Sequence, residues 1–193
     1  MKETIIYFEK PGKVNTPQVL SLVKERAQAR DIRKVVLAST SGKTAMASVE
    51  AFEGSGIELV VIPWQFGFMD KPHPFPPELV AELKEKGHQV HFGTMLFHTD
   101  DLYGVKTPTV MANLLRIFGQ GTKVCVEIIM MACDGGCIEA GETVIAVAGT
   151  MGGADTAVVA TAAPSTKLTR LRIHEIICKP LLVKKKGDAA DQK

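Results

Sequence analysis

The chain has 193 residues, of which 46% are hydrophobic, and a formal net charge of +2 with acidic and basic residues interspersed. This composition suffices for a packed core and excludes a disordered protein. It also excludes a protein that binds nucleic acid through a strongly basic face. The length fits one domain, which we place at residues 1–183, followed by a polar tail at 184–193.

Neither a signal peptide nor a membrane span is predicted. The first ten residues, MKETIIYFEK, lack the apolar stretch that a signal peptide needs, and the sequence contains no run of about 18 apolar residues. None of the four cysteines, Cys125, Cys133, Cys137 and Cys178, forms a CxxC pair. This pattern favours free thiols in a reducing compartment over a metal site. We therefore expect a cytoplasmic protein without a metal centre.

The first half of the chain alternates short β-rich runs with helix-forming segments. Strands are predicted at 4–8, 34–38, 57–62 and 88–92. Helices are predicted to begin at Thr16, Lys43 and Pro77; Thr16 is expected to be an N-cap because Pro17 follows it.

The second half of the chain begins with two predicted helices and ends with strands. One helix begins at Thr107, and a very apolar one, expected to be buried, spans residues 123–134. Strands follow at 143–148 and 155–161, joined as a hairpin, with a last strand at 171–178. The whole order predicts an α/β fold in three layers: a mostly parallel sheet with an antiparallel C-terminal hairpin edge.

The stretch 34–52, KVVLASTSGKTAMASVEAF, predicts a strand that turns directly into a helix. The first amides of such a helix have no backbone partner, and they lie at the positive end of the helix dipole. Hydroxyls at Ser39, Thr40, Ser41 and Thr44 add donors, so the turn is typical of a phosphate site. Two alternatives remain. The hydroxyls are also typical of a simple helix cap, and a P-loop would need a glycine where Leu37 stands.

A long loop at 63–77 contains Trp64, Phe66, Phe68 and Phe75, four of the eleven aromatic residues of the chain. Loops of this length in compact domains are often functional. The alternative is that these side chains only close the edge of the core.

Ligands of parallel α/β sheets bind beyond the carboxyl ends of the strands. Four loops of this chain are predicted to reach that rim. The ligand site predicted there consists of Asn15, Ser39, Thr40, Ser41, Gly42, Lys43, Thr44, Trp64, Gln65, Phe66, Gly67 and Thr94.

A second candidate for chemistry is the loop at 93–101, where His98, Asp100 and Asp101 could bind a metal or transfer protons. The alternative is an ordinary solvated loop. Asp134, at the end of the apolar helix, is a further candidate. No nucleophile–base pair is evident from the spacing, so we predict no catalytic residue.

Two segments resemble known phosphate loops. Residues 39–45, STSGKTA, resemble a loop of the pyruvate kinase C-terminal domain, and residues 141–150, GETVIAVAGT, resemble that domain's later hairpin. In eukaryotic pyruvate kinases these loops hold the phosphates of a sugar bisphosphate effector. The resemblance adds Gly149 and Thr150 to the predicted site. Since Thr150 and Met151 replace the Trp and Arg of that loop, a monophosphate is implied here.

The two ends of the chain, around 7–16 and 176–180, are similar to a stand-alone family of archaeal and bacterial pyruvate kinase α/β domain proteins. This resemblance covers nearly the whole chain. Members of that family are similar to flavin mononucleotide (FMN) binders, which implies a role for the loop at 64–68 beside the flavin ring. Pyruvate kinase reacts in a TIM barrel that a chain of this length cannot contain, so kinase activity is not expected.

The leading hypothesis is therefore a domain that binds a phosphorylated small molecule, with FMN as the candidate cofactor. One alternative is an enzyme, flavin-dependent or not, that acts on a phosphorylated metabolite. Another is an interaction domain in which the 39–44 turn only caps a helix. The expected partner is the ligand itself, without nucleic acid or membrane, and a homo-oligomer is left open.

Overall fold

A computed structural model describes residues 2–181, so the predicted tail at 184–193 lies outside the described residues. Within residues 2–181 one sheet contains seven strands: Ile6–Phe8 (β1), Lys34–Ala38 (β2), Glu58–Ile62 (β3), Gln89–Val90 (β4), Thr143–Ala148 (β5), Thr156–Thr161 (β6) and Arg172–Pro180 (β7). The α-helices are Thr16–Ala29 (α1), Lys43–Phe52 (α2), Pro77–Glu85 (α3), Asp100–Tyr103 (α4), Thr107–Arg116 (α5) and Gln120–Asp134 (α6). Short 3-10 helices lie at Lys13–Asn15, Leu96–His98 and Ser165–Arg170.

The strands lie in the order β1-β7-β6-β5-β2-β3-β4. Strand β6 pairs antiparallel with both β5 and β7, whereas all other neighbouring strands pair in parallel. The predicted class, a mostly parallel α/β sheet with an antiparallel C-terminal hairpin, is confirmed. Strands β7 and β1 extend the sheet beyond the hairpin, because β7 returns on the far side of β6 and pairs with the N-terminal strand.

Helices cover both faces of the sheet and give the predicted three layers. On one face α1, α2 and α3 bury side chains such as Val23, Phe52 and Leu83 against the strands. On the other face α6 packs against the sheet through residues such as Ile129, and α5 packs on the outside of α6. Because both faces are covered, the central strands β2 and β3 are apolar after their first residues, Lys34 and Glu58.

Two local predictions need correction. Thr16 is not the N-cap of α1: Asn15 holds that position without a side-chain cap, and the Thr16 hydroxyl accepts a hydrogen bond from the amide of Ala154 (2.9 Å) instead. Helix α6 begins at Gln120, three residues before the predicted start, since Gly119 with φ 126° marks the end of the preceding turn.

A buried carboxylate fixes the loops at the carboxyl edge of the sheet. Asp155 is fully buried, and its Oδ2 accepts hydrogen bonds from the amides of Gly12 (2.7 Å) and Thr150 (3.0 Å). Its Oδ1 accepts from the hydroxyl of Thr156 (2.8 Å). One side chain therefore joins the loop after β1 to the turn between β5 and β6.

Gly42 lets the chain turn from β2 into α2. Its φ is +81°, in the left-handed region, and a Cβ there would lie 2.2 Å from Cδ2 of Leu79 on α3. Both the backbone conformation and the close packing against α3 therefore favour glycine at this position.

Replacing Asp155 tests its role in joining the two loops. Asp155→Ala leaves three buried donors without an acceptor and is expected to lower the free energy of unfolding by about 3–5 kcal/mol. Asp155→Asn is the matched control. Its amide oxygen can still accept from the two backbone amides, so a loss of about 1–2 kcal/mol is expected. Urea denaturation measures both, and equal losses would contradict the assigned hydrogen bonds.

Gly42→Ala is expected to destabilise the protein by about 2–4 kcal/mol, since it combines left-handed strain with displacement of Leu79. Gly136→Ala is the control, because Gly136 has φ +70° but a Cβ at that position would have no neighbour within 4 Å. That variant carries the strain alone, about 1–2 kcal/mol. Thermal and urea unfolding of the two variants gives the comparison, and an equal cost at both sites would refute the packing constraint at Gly42.

Candidate functional site

A cleft opens at the carboxyl edge of the sheet, where the loops after β2, β3 and β5 meet. It consists of two adjoining chambers, of about 350 Å³ and about 270 Å³, which we call the polar and the apolar chamber. Both chambers are lined by the same five residues, which mark the boundary between them: Ala38, Thr40, Trp64, Gln120 and Val124. Together the chambers fall in the size range of small-molecule sites.

The polar chamber is built on the turn from β2 into α2. Ser39, Thr40, Ser41, Lys43 and Thr44 all line it. The hydroxyl of Ser39 accepts a hydrogen bond from the amide of Ala45 (3.2 Å) and so satisfies one amide of the first turn, while Gly42 holds the N-cap position. Among the described residues the amides of Ser41, Lys43 and Thr44 have no protein acceptor. The first amides of α2 thus remain free in a corner that neighbouring side chains do not fill.

The turn between β5 and β6 forms the opposite wall of the polar chamber. The lining there is Gly149, Thr150, Met151, Gly152 and Gly153. The amide of Thr150 donates a hydrogen bond to the carboxylate of Asp155 (3.0 Å). The hydroxyl of Thr150, by contrast, is buried and has no hydrogen-bond partner among the described residues. A buried hydroxyl without a partner is costly, and this one belongs to a residue that lines the cleft.

The charge of the polar chamber favours an anion. Of the described residues that line it, Lys43 alone carries an ionisable side chain. The positive end of the α2 dipole adds to the charge of Lys43.

The apolar chamber continues the cleft beneath the loop after β3. Ile62, Phe68, Met95 and Met131 line it together with Trp64. The rings of Trp64 and Phe68 meet edge to face, with centroids 5.1 Å apart, which fixes both. The chamber is therefore a rigid apolar space with an aromatic wall, suited to a flat organic group.

An ion pair lies at the inner end of the apolar chamber. Lys123 and Glu127, one turn apart on α6, are 1% and 3% exposed, and their Nζ and Oε2 atoms are 2.6 Å apart. The other carboxylate oxygen of Glu127 accepts from the amide of Phe97 (2.9 Å) and lies 3.4 Å from Nδ1 of His98.

The pKa values of this pair follow from burial and from its neighbours. Burial lowers the pKa of Lys123 from its ordinary value, although the charge of Glu127 opposes this. For Glu127 burial acts to raise the pKa, but contact with His98 and the charge of Lys123 outweigh it, so the net pKa is lowered. Glu127 is therefore an ionised carboxylate at neutral pH.

The structure brings together part of the predicted site. Around the polar chamber lie Ser39, Thr40, Ser41, Lys43, Thr44, Trp64, Gly149 and Thr150. Gly42 belongs to the same turn but packs against α3.

The other predicted residues have different surroundings. The side-chain amide of Asn15 donates to the carbonyls of Lys10 and Gly12 and so stabilises its own loop. Gln65 accepts from the amide of Met95 (2.7 Å), which joins the loops after β3 and β4.

Further along the chain, Phe66, Gly67 and Thr94 also lie outside both chambers. Phe66 is 66% exposed and stacks on His73 and Phe92, on the outer side of its loop. Gly67 lies in a separate shallow pocket beside Phe66, and Thr94 is exposed. The aromatic side chains of the loop after β3 therefore face different ways. Trp64 and Phe68 line the cleft, whereas Phe75 lies in the core.

Sequence reasoning missed the contribution of α6. Gln120, Lys123 and Glu127 line the cleft, yet the segment was expected only to fill the core. A signal was present in the sequence: two opposite charges four residues apart in an otherwise apolar helix.

Two of the carboxylates suggested for chemistry, Asp100 and Asp134, accept hydrogen bonds from neighbouring segments. Asp100 accepts from the amide and hydroxyl of Thr109 (3.1 and 2.6 Å), and Asp134 accepts from the amide of Ser165 (2.9 Å). Residues 2–181 contain no group of three or more His, Cys, Asp or Glu side chains placed to hold a metal ion. In the same part of the chain no helix has the length and apolarity required to cross a bilayer.

No family model matches the chain. Two solved structures of pyruvate kinase from Cryptosporidium parvum resemble it. The first shares 15% sequence identity with this chain at a TM-score of 0.43, and the match covers 77% of this chain and 23% of the pyruvate kinase chain. The second, a complex with ADP, shares 17% sequence identity with this chain at a TM-score of 0.36. That match covers 68% of this chain and 20% of the pyruvate kinase chain. This chain spans less than a quarter of the length of either pyruvate kinase.

Proposed function

We propose that this protein binds a phosphorylated small molecule, with the phosphate in the polar chamber and an aromatic body in the apolar chamber. The observation that carries the proposal is that the two chambers adjoin, since Thr40 and Trp64 line both of them. A cleft that is polar at one end and aromatic at the other matches a ligand with the same division.

The phosphate end is supported by unsatisfied donors on two sides. The free amides of Lys43 and Thr44 lie on one wall, and the unpartnered hydroxyl of Thr150 lies on the other. A phosphoryl group offers several strong acceptors and would satisfy both walls at once. The absence of acidic side chains from the described lining of this chamber avoids repulsion of the anion.

Binding of the aromatic body of the ligand is supported by the shape and polarity of the apolar chamber. The apolar chamber offers the faces and edges of Trp64 and Phe68 with Met95 beside them, and such walls favour a flat ring system. FMN combines a monophosphate with a planar tricyclic ring, and it is therefore the ligand that we propose first.

Binding of FMN can be followed without a label because Trp64 is the only tryptophan in the chain. FMN is expected to quench its fluorescence with a saturable dependence on concentration, and freshly purified protein is expected to show a flavin visible spectrum. Riboflavin, which lacks the phosphate, is the matched ligand control. Loss of charge-assisted hydrogen bonds, worth about 1.5–3 kcal/mol, predicts that it binds about 10- to 100-fold more weakly.

Two results would count against this proposal. A colourless protein whose Trp64 fluorescence does not respond to added FMN would exclude the flavin. Equal affinity for riboflavin and FMN would exclude the phosphate contact while leaving a site for the ring.

Thr150→Val separates ligand binding from folding. Valine has nearly the same shape but no hydroxyl, so FMN binding is expected to weaken about tenfold, equivalent to about 1.4 kcal/mol. Because the Thr150 hydroxyl is buried without a partner, the free energy of unfolding is expected to stay constant or to rise. Thr143→Val, at the exposed opposite end of β5, is the control for a threonine outside the cleft. Unchanged FMN affinity in Thr150→Val would remove this wall from the site.

A further inference from the structure

The ion pair of Lys123 and Glu127 is not explained by stability. Both side chains are almost fully buried beside apolar residues of α6 and the sheet. Removing two charges from water costs about as much as their attraction returns, and apolar residues of similar size often stabilise a fold equally well. A buried pair that lines a cavity therefore calls for a role in that cavity.

His98 provides the connection between this pair and the chamber. Its side chain is 29% exposed and lines the apolar chamber, and its ring meets Phe68 edge to face with centroids 5.1 Å apart. Nδ1 lies 3.4 Å from the Glu127 carboxylate. A carboxylate can only accept, so it favours the tautomer with the proton on Nδ1 and leaves Nε2 as a basic nitrogen.

The arrangement has three parts with different tasks. Glu127 orients the imidazole, as a carboxylate does in many acid–base sites. Lys123 and the amide of Phe97 hold Glu127 in place (2.6 and 2.9 Å). Of the described residues that line the apolar chamber, only His98, Lys123 and Glu127 carry ionisable side chains, so a general acid or base from the lining would be one of these three.

We propose that His98 is the acid–base residue of this cleft, and that its Nε2 takes a proton from a small molecule bound in the apolar chamber. The inference rests on the proposed function, since the same cleft must hold that molecule, and it extends that function from binding to catalysis. An N–H bond forms at Nε2 and a C–H, N–H or O–H bond of the molecule breaks, with the electron pair left on the molecule. The imidazolium formed is stabilised by the charge of Glu127.

This assignment also limits the substrate class. With the phosphate in the polar chamber, the acidic proton must belong to the body of the molecule, at the end away from the phosphate. The substrate is therefore a phosphorylated compound whose flat or apolar portion carries an ionisable group, not a simple sugar phosphate.

The tautomer of His98 can be measured directly in the intact protein. Long-range ¹H–¹⁵N spectra distinguish protonated from unprotonated imidazole nitrogens, and the chain has five histidines. His98→Asn identifies the signals of His98, and His174→Asn is the matched control, because His174 lies on β7 and contacts Thr161. In the neutral form of the ring we expect the proton on Nδ1. A neutral ring with its proton on Nε2 would overturn the assignment.

Glu127→Leu tests the positioning role. Leucine removes the acceptor beside Nδ1, so the preference for the tautomer with the proton on Nδ1 is expected to be lost. An unchanged preference in a folded variant would show that Glu127 does not orient His98. If this variant does not fold because Lys123 loses its partner, the tautomer in the unmodified protein still decides the proposal.

FMN serves as the probe for contact with a bound molecule. Saturating FMN is expected to move the Nε2 resonance of His98 and to leave that of His174 unchanged. An unmoved Nε2 resonance in a protein saturated with FMN would overturn the role of His98. Failure of FMN to bind would contradict the proposed function instead, and the two tautomer measurements would still test His98.

Discussion

The cleft depends on one backbone constraint, which is the direct turn from β2 into α2. Only four residues separate the last residue of the strand from the first residue of the helix, so the first amides of α2 cannot be covered by preceding backbone. Gly42 permits the turn with φ +81°, and Ser39 caps one amide, that of Ala45. The amides that remain face the carboxyl edge of a parallel sheet, where loops from neighbouring strands can enclose a ligand.

The opposite wall of the polar chamber depends on β6, the antiparallel strand of the sheet. Because β6 runs against its neighbours, the turn that joins it to β5 lies at the same edge as the α2 N-terminus. Asp155 secures this turn to the loop after β1, and thereby sets the position of Thr150 across the polar chamber. A rigid frame of this kind reduces the ordering cost of binding, since the donors are already in place.

Local patterns predicted most of this architecture. The strand at 34–38, the helix starting at Lys43 and the strand at 143–148 were all correctly delimited, because each is set by short-range composition and turn residues. The polar chamber followed from the same local reasoning. What the sequence could not determine was which way individual side chains of a loop would face. Phe66 and Trp64 have similar character, yet they point to opposite sides of the loop.

Contacts between segments that are distant in the sequence could also not be predicted. Helical periodicity assigned α6 to the core, and it could not show that Lys123 and Glu127 would end at a cavity beside His98, about 30 residues away in sequence. Strand β6 lies inside the sheet because β7 pairs with its far edge, and β1 pairs in turn with β7; neither pairing leaves a local signal in the sequence. The residues that line the cleft therefore come from elements that are distant in the chain and are brought together only by the sheet order.

The most direct measurement of the central claim is the response of individual backbone amides in α2 to FMN. In ¹H–¹⁵N correlation spectra of the whole chain, the amides of Ser41, Lys43 and Thr44 are expected to shift strongly downfield when FMN saturates the protein. Riboflavin is expected to leave them nearly unchanged, because it carries no phosphate. If FMN saturates the protein while these three amides keep their positions, the phosphate does not bind at the α2 N-terminus and the central claim is wrong.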